Sequence, residues 1–163
     1  MTKHTQLALQ VQLPDDETFL SFRGDSHQIL IDTLKGYIGA DNLSIHQEKS
    51  IPGCYLFGLA GVGKSHLLHA CCSMAAELSL SSVCLSLAEI QQYSVDILDG
   101  LENIDLVCLD DIQLVAQSTV WQQAIFDLYN RIGEQGKKII ISGDKEIKSL
   151  NLTLPDLASR LSW

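Results

Sequence analysis

Apolar residues recur along this chain with two different periods, and the switches between them mark out its elements. Short unbroken runs fit buried strands: Cys54-Tyr-Leu-Phe57, Val83-Cys-Leu-Ser-Leu87, Asp105-Leu-Val-Cys-Leu-Asp-Asp111 and Lys138-Ile-Ile-Ile-Ser142. Between them a helical period takes over. Leu30, Leu34 and Ile38 fall at i, i+4 and i+8 of a segment that Asp25 or Ser26 can cap. Leu67, Cys71, Met74 and Leu78 form a stripe over 65–78, with Leu68 and Ala75 beside it. Trp121, Ala124, Ile125, Leu128 and Ile132 repeat the pattern over 120–135, just ahead of Gly136, where a helix C-terminus favours glycine. Residues 88–100 read as a helix or a helix-rich connection, and Pro155 opens a last helix toward Trp163. Strands alternating with helices predict an α/β layered fold with a parallel sheet.

Residues 1–13 follow another rule. Leu7, Leu9, Val11 and Leu13 alternate with other residues, as on one side of an extended segment, and Pro14-Asp-Asp-Glu17 breaks the pattern. This suits an arm that lays one face on a surface, although an edge strand or a frayed terminus would look the same. The chain divides on this reading into an arm, 1–17, and a core, 18–163.

Composition narrows the class. A chain of 163 residues with 46% hydrophobic content can bury a core without disulfides or metal. The net charge of −9 argues against broad electrostatic contact with DNA, so direct sequence-specific DNA binding is not expected. The five cysteines, at 54, 71, 72, 84 and 108, sit in apolar runs without metal-ligand spacing, which predicts small buried side chains in a reducing compartment. No signal peptide is evident, and the longest apolar runs are strand-sized. A cytoplasmic protein without membrane contact is expected.

The candidate chemistry begins at Gly58-Leu-Ala-Gly61-Val62-Gly63-Lys64-Ser65, between the first strand and its helix, which fits G-x-x-x-x-G-K-[ST]. Glycines let backbone N–H groups close around phosphate oxygens, and the helix N-terminus adds partial positive charge. Lys64 should reach the β- and γ-phosphates and Ser65 should ligate Mg²⁺. The expected nucleotide-binding set is Gly58, Gly61, Val62, Gly63, Lys64, Ser65 and His66, for ADP or ATP with Mg²⁺.

Parallel sheets bring ligands to the carboxyl ends of their strands. Asp110 and Asp111 end an apolar run there, as in a Walker B strand. Asp110 would hold Mg²⁺ directly or through water, and Asp111 would polarise an attacking water or merely cap the next segment. Ser142 and Asp144 close the fourth strand, able to sense a γ-phosphate or orient water, with a simple Gly-Asp turn as the plainer reading. Arg160 follows Asp156 by one helical turn. Either the two form an ion pair worth ~0.3–0.5 kcal/mol, or Arg160 is an arginine finger projected into a neighbour's nucleotide site.

Gly63-Lys64-Ser65-His66-Leu67-Leu68-His69-Ala70 and Leu109-Asp110-Asp111-Ile112-Gln113 resemble the AAA+ module of the bacterial DnaA family. Gln6-Leu7-Ala8-Leu9, residues 13–19, residues 124–132 and residues 152–163 resemble, more narrowly, its regulatory-inactivator branch, so the resemblance covers essentially the whole chain. It implies a P-loop NTPase (AAA+) fold of three layers, with a sheet in the order 2-3-4-1 and strand one at an edge. It also implies a chain truncated before the last strand and the helical lid with its second sensor arginine, leaving unpaired backbone beside the nucleotide loop.

For function, the resemblance implies a negative regulator of replication initiation that promotes hydrolysis of DnaA-bound ATP. Gln6, Leu7 and Leu9 match a motif for the DNA polymerase III sliding clamp (beta subunit), with Gln10 and Val11 where relatives often carry proline and leucine. Arg160 would be the finger acting in trans, Asp111 the second catalytic candidate, and Ser142 and Asp144 the first sensor region. Whether the chain is itself an enzyme stays open, because the branch is associated with ADP while the loop looks competent. A homodimer is compatible with this reading. The alternative is a self-acting ATPase of the initiator or helicase-loader kind; a DNA-binding initiator would need a basic helix-turn-helix region that this acidic chain lacks.

Overall fold

The apolar runs become the strands of one parallel sheet: β1 (Gly53–Phe57), β2 (Ser82–Ser86), β3 (Leu106–Asp110) and β4 (Lys138–Gly143). The computed structural model describes residues 18–19, 27–39, 53–59 and 63–162. The arm with Gln6, Leu7 and Leu9 lies outside the described residues, as do Gly61 and Val62 of the phosphate loop. The strand order is β1-β4-β3-β2, the order expected, with β1 at one edge. Registers are continuous: Cys54 pairs with Ile140, Cys108 with Ile140 on its other side, and Cys84 with Cys108.

Helices cover both faces, so the central strands have no polar side to write into the sequence. All of β3 is buried. Its Val107 and Leu109 join Leu85, Ile139 and Ile141 in one core layer, against Ile125, Leu128 and Ile132 of α4 (Thr119–Glu134) and Leu157 and Leu161 of α6 (Pro155–Leu161). Leu106 and Cys108 join Leu56, Cys84 and Ile140 on the opposite face, against Ile31, Leu34 and Ile38 of α1 (Gln28–Gly39) and Leu67, Leu68, Cys71 and Cys72 of α2 (Lys64–Glu77). Three layers result. Cys71, Cys72, Cys84 and Cys108 are buried free thiols, and Cys54 is half-buried.

Two details differ from the periodic reading, and a third decides between its alternatives in favour of a helix-rich connection. α2 buries Ala70 and Cys72 as well as Leu67 and Cys71 of its stripe, because it lies between α1 and the sheet, whereas Met74 is half-buried and Leu78 falls past the helix end and stays exposed. The third strand stops at Asp110, since Asp111 turns into the left-handed region at φ 67° and opens a 3₁₀ turn, Ile112–Val115. The 88–100 connection resolves into α3 (Leu87–Ile90) and 3₁₀ turns at Val95–Leu98 and Leu101–Asn103. One further helical turn, α5 (Ile147–Leu150), is too short to carry a legible period.

The amino ends of the strands are tied by Asp105. Its carboxylate accepts from Lys137 Nζ at 2.7 Å and from the Ser81 amide and hydroxyl at 2.9 and 3.1 Å. Lys137 first, then Ser81, hold this carboxyl below its ordinary range. A depressed carboxylate pKa stabilises the fold above the unfolded value of about 4, and that contribution is lost as pH falls through the folded value. Asp105→Asn is expected to cost about 1 kcal/mol at pH 7, a partly exposed pair being screened by solvent. The cost should shrink as pH falls below the ordinary carboxylate value of about 4 and on through the lower folded one. Urea midpoints of both proteins, followed from pH 7 into the acid range, check this.

Candidate functional site

The phosphate loop leaves β1 beside the end of β4, where the Gly58 N–H donates to the Gly143 carbonyl at 3.2 Å. Gly63 enters α2 with φ 96°, a left-handed conformation that a side chain would oppose. Lys64 is 8% exposed, and its ammonium donates to the Gly58 and Leu59 carbonyls at 2.6 and 2.9 Å. An ammonium has three N–H donors, and this posture commits two of them to loop carbonyls. His66, on the first turn, contacts the Thr18 carbonyl through Nε2 at 2.9 Å.

Across from the loop, β3 and β4 end in a hydroxyl–carboxylate cluster. The Ser65 hydroxyl donates to Asp110 Oδ2 at 2.5 Å, and the Ser142 hydroxyl donates to Asp110 Oδ1. Ser142 has no exposed surface and also accepts from the Asp111 N–H at 3.0 Å. That bond holds the turn at which Asp111 leaves the strand. The Asp111 carboxylate makes no cap hydrogen bond to the following turn; it accepts instead from Gln113 Nε2 at 3.1 Å. Ser142 therefore binds the carboxylate of Asp110 and the backbone of Asp111.

These donors suit Mg²⁺, a hard cation that takes oxygen ligands and is usually held by one or two carboxylates plus phosphates and water. Ser65 and Asp110 would hold it. Among the described residues no group of three His, Cys, Asp or Glu is arranged around a metal position. Among those residues the Ser65–Asp110 hydroxyl–carboxylate pair is the arrangement that fits such a cation.

Asp144 stands one residue past β4, its Oδ1 buried and without a hydrogen-bond partner among the described residues. Nearby, the Tyr55 hydroxyl donates to the Lys145 carbonyl at 2.5 Å, and burial followed by the Asp144 charge pushes the Tyr55 phenol upward. The Tyr55 ring lies on Gly143, where an added Cβ would sit 2.1 Å from the hydroxyl. At the other end of β1, Tyr129 covers Gly53 in the same way, 2.2 Å from such a Cβ.

Arg160 occupies a different surface. It is exposed near the end of α6, its guanidinium 6.0 Å from the centre of the Phe126 ring of α4. It is close enough to Tyr129 to lower that phenol, against the larger upward push of burial. No helix among the described residues is long and apolar enough to cross a membrane.

A polar side chain that the periodic reading passed over completes the picture. Gln122, in the first turn of α4, has no exposed surface. Its amide nitrogen donates to the Val115 and Ala116 carbonyls at 3.0 and 2.8 Å, and its oxygen accepts from the Leu154 N–H at 2.9 Å. No local signal marks such a residue, because the partner of its oxygen, Leu154, lies 32 positions away.

Comparison with known proteins follows this geometry. A family model described as Bacterial DnaA ATPAse domain matches residues 13–163. Replication initiator DnaA bound to AMPPCP and single-stranded DNA superposes with a TM-score of 0.79 at 22% identity, over 93% of this chain and 49% of that one. AMPPCP-bound DnaA from Aquifex aeolicus gives 0.76 at 25% identity, over 93% and 49%. The DnaC helicase loader gives 0.56 at 19% identity, over 85% and 82%. The chain spans about half the length of the DnaA structures it matches.

Proposed function

We propose that this chain, which belongs to the bacterial DnaA ATPase-domain family, is a nucleotide-bound regulator of replication initiation of the Hda kind. In this reading Lys64 holds the β-phosphate of ADP, or the β- and γ-phosphates of ATP, and Ser65 and Asp110 hold Mg²⁺. Residues 1–17 form an arm that engages the sliding clamp through Gln6, Leu7 and Leu9. Arg160 is supplied to ATP bound on DnaA, whose hydrolysis it promotes. The site of action is cytoplasmic.

The observation that carries the reading is the setting of Arg160. Its guanidinium is exposed near the end of a helix and lies over the face of Phe126. A planar guanidinium held at a surface is suited to bidentate contact with a phosphate on another molecule. The nucleotide end of the same chain is independently supported by Lys64 within its loop and by the Ser65–Asp110–Ser142 cluster.

The test is hydrolysis of ATP pre-bound to DnaA in the presence of DNA-loaded clamp, with and without this protein. Stimulation is expected, and Gln6→Ala with Leu9→Ala should remove both clamp binding and stimulation while own-nucleotide affinity stays within about twofold. A rate that is the same with and without the protein would sink the regulator reading. The second reading, a self-acting ATPase of the initiator or helicase-loader kind, is favoured by the presence of both Asp110 and Asp111 beside the loop. It requires intrinsic turnover that needs no clamp.

A further inference from the structure

Gln122 and Ser142 are the polar side chains with no exposed surface among the described residues, and they stand at two ends of one continuous path. Ser142 fixes the Asp111 N–H and the Asp110 carboxylate. From Asp111 the chain runs directly into the 3₁₀ turn Ile112–Val115, whose Ile112 and Val115 are buried. Gln122 grips the exit of that turn by the carbonyls of Val115 and Ala116. With its remaining polar atom it takes the N–H of Leu154, the residue that precedes the first turn of α6. Arg160 lies six residues further on, a rise of about 9 Å along the helix.

We propose that Gln122 is a positioning residue that couples occupancy of the nucleotide site to the placement of Arg160. Its amide spends both N–H groups on the acid-side turn and its oxygen on the finger helix. Among the described residues, the side-chain hydrogen bond that runs parallel to it is the exposed Thr119–Thr153 hydroxyl pair at 3.4 Å, from α4 to the residue before Leu154. A displacement of Asp110 and Asp111 by a bound phosphate and its cation shifts the turn, and Gln122 carries the shift to the start of α6. The inference rests on the proposed roles of the strand-end acids and of Arg160, and it adds the element that links them.

The experiment is amide NMR of the full chain titrated with AMPPCP and Mg²⁺, alongside fluorescent-nucleotide displacement on the same samples. In the native chain the amides of Leu154 and of Asp156 to Arg160 are expected to shift with the midpoint of binding. Gln122→Met should keep nucleotide affinity within about threefold, lose the α6 response, and lower stimulation of DnaA-bound ATP hydrolysis about tenfold. Gln122→Glu keeps an acceptor for Leu154 but sets a carboxylate against two carbonyls, so it should lose the response too, and it serves should the Met variant not fold. Binding without any α6 response in the native chain overturns the proposal, as does a response that survives in either variant. A native chain that binds no nucleotide fails the functional reading itself, and the coupling with it.

Discussion

Arg160→Ala is expected to lower the rate of DnaA-bound ATP hydrolysis about 1,000-fold relative to the native chain, because a finger of this kind is worth on the order of 10³–10⁵ in rate. The loss should appear in the single-turnover rate with clamp binding and own-nucleotide affinity unchanged. Stability is not the issue: an exposed guanidinium on an aromatic face contributes about 0.5–1 kcal/mol. Arg160→Lys keeps the charge and loses the planar fork, so it should recover only a small part of the rate. If the alanine protein stimulates as well as the native one, the finger is some other residue and the setting over Phe126 is ordinary surface packing.

Asp110→Asn should weaken Mg²⁺-dependent nucleotide binding about 100-fold, equivalent to about 2.8 kcal/mol at 1.4 kcal/mol per tenfold. Asp110 is the carboxylate that touches the Ser65 hydroxyl, and an amide is a far poorer ligand for a hard cation. The fold should tolerate the change. One hydroxyl donor loses its acceptor and must turn, costing about 1 kcal/mol, while removal of one of two adjacent like charges offsets part of this. A melting temperature within about 4 °C of the native value is expected. Nucleotide titrations with Mg²⁺ and with EDTA decide the matter. Equal affinities in the two conditions for both proteins would remove Asp110 from metal binding.

Much of the fold was legible because strands buried on both faces have no alternation to disguise them. Ile139-Ile-Ile141 and Leu106–Leu109 could be little else. The strand order was legible only through the family resemblance, since nothing local in β1 says that it pairs with β4. Helix α2 was half legible: its stripe was right at Leu67 and Cys71, but a helix covered on two sides also buries Ala70 and Cys72, which a single-face period leaves out. The candidate site divides in the same manner. The phosphate loop and the acids announce themselves by contiguous motif, whereas the bonds from Ser142 to Asp110 and from Gln122 to Leu154 join residues 32 positions apart. Ser142 could be listed as a strand-end hydroxyl, but its bonds to the Asp110 carboxylate and the Asp111 N–H required the folded sheet. Gln122, next to inward-facing Trp121, reads as ordinary helix surface until Leu154 returns to meet it.

The two tyrosines that lie on glycines bear on how this sequence can vary over generations. A Cβ at position 143 would collide with Tyr55, and one at 53 with Tyr129. Each ring is also engaged with the backbone, Tyr55 at Lys145 and Tyr129 at Gly53 itself. Neither glycine can change alone without evicting an aromatic ring, and neither ring can shrink alone without opening a void over a strand. Each glycine and its tyrosine therefore make up one inherited unit, and among descendants of this chain the members of a pair should be kept together or replaced together.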